Sequence, residues 1–136
     1  MTADPLHGRP ALVPELVVSD IVRSLAFYRS LGFEVLFDRP EDGFANLALE
    51  GGQLMLEQMG DHWDVGPMEP PFGRGLNLEF AVADAAAMAE RIIRHGWPLF
   101  QPLRERIYRV GDGTVRVLQV LVQDPDGYLL RFQTDL

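Results

Sequence analysis

One pattern occurs twice in this chain, and internal repetition limits the possible folds more than composition does. Glu15 to Phe37, ELVVSDIVRSLAFYRSLGFEVLF, reads as a strand, a capped helix, a glycine stop and a second strand. The same plan returns 64 positions later as Glu79 to Gln101, EFAVADAAAMAERIIRHGWPLFQ. Glu15 matches Glu79, Val18 matches Val82, Asp20 matches Asp84 and Gly32 matches Gly96. The sequence therefore predicts two copies of one module.

Within the first copy, Leu12 to Ser19 is expected as a strand, with Val13, Glu15 and Val17 on one face and Leu16 and Val18 on the other. Asp20 is placed to cap the helix, because its carboxylate can accept from the free N–H groups of the first turn. Ile21, Leu25, Tyr28 and Leu31 recur at helical spacing, and Gly32 suits the left-handed residue that ends a helix. Phe33–Arg39, Phe44–Leu49 and Gln53–Met59 follow as strands. They are separated by Pro40-Glu41-Asp42-Gly43 and Glu50-Gly51-Gly52.

The second copy opens with a strand over Leu76–Ala83. Its helix is capped by Asp84, carries Ala85, Met88 and Ile92 on one stripe, and stops at Gly96. Strands are expected near Pro98–Gln101, Ile107–Val110, Val115–Gln123 and Tyr128–Gln133. Module one thus covers about 11–59 and module two about 76–134, in one domain spanning 1–136. Both have the order βαβββ, which is an α+β class. Residues 60–75, with His62, Trp63, three prolines and Phe72, are too long for a simple turn and read as a lid or linker. Met1 to Pro10 reads as a loose arm.

Composition removes several function classes. The 136 residues include no cysteine, so there is no disulfide, thiolate metal site or thiol nucleophile. A net charge of −8 argues against a nucleic-acid partner, which needs a basic face, and is compatible with a cationic ligand. No stretch has the length of a membrane span, and the first residues lack the parts of a signal peptide, so a cytoplasmic location without membrane partners is expected.

The stretches VVSDIVRSLAFYRSLGF and VQDPDGYLLRF resemble the vicinal oxygen chelate superfamily, which includes glyoxalase I, extradiol dioxygenases, fosfomycin-resistance enzymes and bleomycin-resistance proteins. The resemblance spans about residues 12 to 134. It implies two half-barrels around one cavity. Metal enzymes of the family hold their ion on four cavity-facing positions, which carry over onto Val13, Leu56, Asn77 and Arg131. The metal enzymes have His, Glu or Gln there. Two alkyl chains, an amide and a guanidinium are poor ligands for a divalent ion, so neither metal nor other cofactor is expected. A one-residue slip on the fourth strand would bring Glu57 inward instead.

Strand alternation then gives an inward set of Val13, Glu15, Leu56, Gln58, Asn77, Glu79, Arg131 and Gln133. Glu15 and Glu79 are repeat equivalents, and with Arg131 they form the expected charged centre. Phe37, Phe44, Trp63 and Tyr108 are candidates for an aromatic wall. The resemblance to bleomycin-resistance proteins implies a homodimer that sequesters a flat aromatic or cationic molecule without catalysis. Alternatives are a lyase or isomerase of the glyoxalase type, and a dimerising module whose cavity is filled by side chains.

Overall fold

The two repeats fold as two units, one ending at Met68 and the other running from Glu69 to Leu136. The computed structural model describes residues 7–60 and 63–136. Each unit is one four-stranded mixed sheet with one helix, so the chain is α+β with two tandem βαβββ modules.

In the first unit the elements are β1 (Glu15–Val18), α1 (Ile21–Ser30), β2 (Glu34–Arg39), β3 (Phe44–Leu49) and β4 (Gly52–Gln58). A single 3-10 turn, Pro40–Asp42, joins β2 to β3. The strand order is β1-β4-β3-β2, with β1 parallel to β4 and the other pairs antiparallel. Asp20 caps α1 as the sequence predicts, its Oδ1 accepting from the N–H groups of Val22 (3.1 Å) and Arg23 (3.2 Å). Gly32 follows at φ 98°, a conformation that costs glycine nothing.

The buried face of this sheet is set by register. Leu16 pairs with Leu56, Leu56 with Ala45, and Leu54 with Leu47, and all are under 3% exposed. Ser24, Phe27 and Tyr28 are the buried residues of α1. The expected helix stripe is thus rotated towards Phe27, and Ile21 and Leu25 are only half-buried.

The second unit repeats the plan with β5 (Asn77–Ala81), α2 (Ala85–Arg94), β6 (Leu99–Val110), β7 (Gly113–Gln123) and β8 (Leu129–Asp135). The order β5-β8-β7-β6 mirrors the first unit, with β5 parallel to β8. Asp84 Oδ1 accepts from Ala87 N–H at 2.9 Å, and Ala85, Met88, Ala89 and Ile92 form the buried stripe of α2. Phe80 and Phe132 stack at 5.8 Å between ring centres on the covered face, beside Leu130 and Val120.

Two sequence expectations are corrected here. The strands expected near Pro98–Gln101 and Ile107–Val110 are one 12-residue strand, β6. It runs through Pro102, because β6 is an edge strand and carries register shifts between Leu99 and Arg104, which is where a strand tolerates proline. Leu12–Val13–Pro14 lie outside β1, although Pro14 C=O still accepts from Met55 N–H at 2.8 Å.

The stretch expected as a lid divides between the units. From Glu69 it belongs to the second, where Phe72 is 4% exposed and meets Tyr128 edge-on at 6.0 Å. Gly127, at φ 104°, leaves no room for a side chain: a Cβ there would lie 2.4 Å from Pro71 Cβ. His62 lies outside the described residues.

Candidate functional site

A helix covers one face of each sheet, and the uncovered face carries the chemistry. Residues that are register partners share a face, so the uncovered set can be read directly from the pairing.

In the first unit Glu15 pairs with Met55, Val17 with Glu57, Asn46 with Met55 and Phe37, and Phe44 with Glu57 and Arg39. Much of this face is paired from within, although Arg9 Nε is buried without a hydrogen-bond partner. Asn46 is fully buried. Its Oδ1 accepts from Arg9 Nη2 at 2.7 Å, and its Nδ2 donates to Gln53 Oε1 at 3.0 Å. The Arg9 guanidinium also stands 3.3 Å from Met55 Sδ and 5.6 Å from the Phe37 ring centre. Arg39 lies 3.9 Å over Phe44, whose ring centre is 6.0 Å from that of Phe37. The two aromatics are therefore together, as expected, but each already has a cation on it. The expected loose arm is in fact tied down at Arg9.

Two first-unit assignments are corrected. Leu56 is fully buried on the helix-covered face, so the inward place falls to Met55, which pairs with Glu15 as Arg131 pairs with Glu79. Gln58 is also turned away. Its Oε1 accepts from Ile21 N–H at 2.9 Å and its Nε2 donates to Ser19 C=O at 2.8 Å, which fastens the start of α1 to the end of β4. Thr134 has the same duty in the second unit. Its Oγ1 accepts from Ala85 N–H at 2.8 Å and donates to Val82 C=O at 2.9 Å.

The second unit's uncovered face holds a hollow of about 270 Å³, lined among others by Asn77, Arg106, Tyr108, Gln119, Leu121 and Arg131. Register explains the gathering. Asn77 pairs with Leu129, Glu79 with Arg131, Arg131 with Leu121 and Gln119 with Gln133, all on one face of β5, β8 and β7. Tyr108 donates its hydroxyl to Gln119 Oε1 at 3.0 Å, and the Arg106 guanidinium stands 5.7 Å from the Tyr108 ring centre. Glu79 Oε1 is 3.9 Å from Arg131 Nη2, beyond hydrogen-bond range, with side chains 44% and 28% exposed. Arg131 Nε is buried without a hydrogen-bond partner.

Of the sequence-predicted set, then, Asn77, Arg131 and Tyr108 line one hollow, with Glu79 beside it. Glu15 lies on the uncovered face of the first unit, and Trp63 is 64% exposed. Sequence reasoning missed Arg9, Asn46, Arg106 and Gln119. Asn46 carried a signal, as the one amide in the otherwise apolar run FANLAL.

A larger hollow, about 640 Å³, lies in the same unit against Pro70, Pro71, Trp97, Phe100 and Pro125. Its Asp124 carboxylate is committed to the adjacent turn, accepting from the N–H groups of Asp126 (2.9 Å) and Tyr128 (3.0 Å).

Among the described residues no cluster of three or more His, Asp or Glu could hold a metal ion. The positions that the family resemblance assigns to metal ligands in the second unit hold an amide, Asn77, and a guanidinium, Arg131. The first unit's are Val13 and, with the observed register, Met55. Such a donor set does not fit a divalent ion, since hard cations seek carboxylate oxygen or imidazole and a fixed cation repels them.

A pair of βαβββ sheets with a polar hollow on an uncovered face defines a class of protein. The sequence pattern of the Glyoxalase/Bleomycin resistance protein/Dioxygenase superfamily matches residues 11–132, and the chain belongs to that superfamily. No curated protein matches the chain. A superfamily member from Vibrio splendidus 12B01 is 34% identical, over 91% of this chain and 97% of that one, with a TM-score of 0.44. TioX from Micromonospora sp. ML1 is 26% identical over 92% and 98%, with a TM-score of 0.69. Virulence protein STM3117 from Salmonella typhimurium, at 21% identity over 100% of both chains and a TM-score of 0.69, shares the fold.

Proposed function

We propose that this protein is a metal-free binding protein of the bleomycin-resistance type, which sequesters a small, flat aromatic molecule rather than transforming it. The observation that carries this reading is the second unit's hollow. It is lined by the apolar Leu121 and Leu129, by Tyr108, and by the amide and guanidinium groups of Asn77, Gln119 and Arg131. The lining is mostly polar, so placed hydrogen-bonding groups would supply orientation, and the few apolar side chains would seat the ring. Two of those polar groups stand where the metal enzymes of the family have ligands, so the site's own donors take over the orienting role.

The working form is a homodimer. Beyond Arg116, whose C=O accepts from Leu136 N–H, β6 and β7 pair only with each other, and on this two-stranded arm Ile107, Val110 and Val115 are 63%, 59% and 41% exposed. A lone hairpin is marginal in water, and a second copy would cover these side chains.

The test is a panel of mono- and bicyclic aromatic compounds of positive, neutral and negative charge, screened by calorimetry after elemental analysis of the purified protein. Binding of a flat scaffold without stoichiometric metal is the expected result. About one zinc, nickel or manganese per chain, or no binding by any member, overturns it. Sedimentation at micromolar concentration should show a dimer.

A further inference from the structure

The net charge of −8 invites a cationic ligand, but the hollow of the second unit has the opposite sign. Its lining contains two guanidiniums, Arg106 and Arg131, and no carboxylate. Neither donates a hydrogen bond among the described residues. Arg106 has only the Tyr108 ring, and Arg131 has only the distant Glu79, at 3.9 Å. A buried guanidinium N–H without an acceptor, here Arg131 Nε, is unfavourable unless something fills it.

The placement of the two cations is regular. Arg106 pairs with Val117 and Arg131 with Leu121, so they flank Gln119, midway between those two on β7. Gln119 is 4% exposed, and its Oε1 already accepts from Tyr108. That bond fixes the amide and leaves its NH₂ as a donor. Asn77 contributes a further amide. The hollow thus presents donors on both sides of a strip that includes Leu121 and Leu129.

The geometry points to an aromatic carboxylate as the ligand, its carboxyl oxygens taken by Arg131 and Arg106 with the Gln119 amide between, and its ring laid along Leu121, Leu129 and Tyr108. This assignment rests on the small-molecule binding reading above and specifies the ligand's charge. A planar carboxylate matches the guanidinium fork in shape, and hydrogen bonds with an ionised donor or acceptor are about twice as strong as neutral ones. It would also offset the mutual repulsion of two cations sharing one hollow.

The experiment uses aromatic carboxylates, each beside its carboxamide, its aminomethyl counterpart and its aryl phosphate, titrated by calorimetry into wild type, Arg131→Gln, Arg106→Gln and Arg131→Lys. For each scaffold that binds, the acid should bind at least about tenfold more tightly than the amide, the loss expected for one charge-assisted hydrogen bond. Either Gln variant should remove most of that preference, weakening the acid by more than it weakens the amide, and Arg131→Lys should restore part of it. Circular dichroism and the thermal midpoint establish that each variant is folded. Equal binding of acid and amide, preference for the amine or the phosphate, or an unchanged acid-to-amide ratio in both Gln variants overturns the assignment. If neutral or cationic scaffolds bind and acids do not, only the charge assignment fails. If no scaffold of any charge binds, the binding reading fails with it.

Discussion

The two sheets have the same topology and opposite solutions for the face the helix leaves uncovered. In the first unit a buried asparagine, a glutamine and an arginine brought in by the N-terminal segment close a network, and the guanidiniums of Arg9 and Arg39 lie over Phe37 and Phe44. In the second unit the guanidiniums face a hollow whose lining holds no carboxylate, and Arg131 Nε is buried without a hydrogen-bond partner. A repeat needs only its covered face to fold, because that face supplies the apolar burial. The uncovered faces are then free to diverge. One pairs its amide with a guanidinium and a glutamine, with only Arg9 Nε left over, and the other turns two guanidiniums towards a hollow.

The strongest way to break this comparison is to delete the polar centre of each face. Asn46→Leu should destabilise the protein by about 2–3 kcal/mol, because it strips a charge-assisted bond from Arg9 and strands Gln53 as well. Arg131→Leu should be close to neutral, since its one ion pair is long and partly exposed, and such pairs contribute at most about 1 kcal/mol. Urea unfolding midpoints measure both. Equal losses would mean that the second face is as internally committed as the first.

Next in size are the two fasteners at the helix starts. Gln58→Leu and Thr134→Val each remove the acceptor for the first helical N–H, and each should cost about 1 kcal/mol. Amide exchange should quicken at Ile21 in the first variant and at Ala85 in the second. Faster exchange confined to neither helix would show that Gln58 and Thr134 are not equivalents.

That equivalence also shows where the sequence was legible. Caps, glycine stops and the order of strands follow from local chemistry, so Asp20, Gly32, Asp84 and Gly96 all mark real boundaries. The fourth strand was misread because Gly51 and Gly52 offer two alignments with Gly127. Gly51 carries the positive φ of 90° that matches the 104° of Gly127. Choosing Gly52 slips the register by one, and one residue turns every side chain to the other face. This exchanged Leu56 for Met55 and put Gln58 in the site. The alternation of QLMLEQ, with Leu54 and Leu56 on one face and Gln53 and Glu57 on the other, contains the correct answer. Arg9 was beyond reach for a different reason: its partner, Asn46, is distant in sequence, and no local pattern encodes a long-range contact.

The smallest expected effect lies on the arm, which has no counterpart in the first unit, where the matching strand β2 has 6 residues against the 12 of β6. Arg116 Nε donates to Glu105 Oε1 at 2.7 Å across β6 and β7. The hydrogen bond from Arg116, and then its charge, hold the Glu105 carboxyl below the ordinary carboxylate range. The same partner holds Arg116 above its usual value. A carboxyl whose folded pKa is depressed adds stability above its unfolded pKa, near 4.3, and that stability is lost as pH falls through the lower folded value. The pair is solvent-exposed, so its worth is small and falls with salt. The expected results are a Glu105 titration midpoint, followed by carboxyl carbon NMR, below that of an ordinary glutamate, and its return to the ordinary range in Arg116→Gln. Any stability difference between wild type and Arg116→Gln should vanish at the acid end. If a second copy covers the arm, dilution below the dimer dissociation constant should change this midpoint. A midpoint that is the same in monomer and dimer would place the dimer contact away from Glu105.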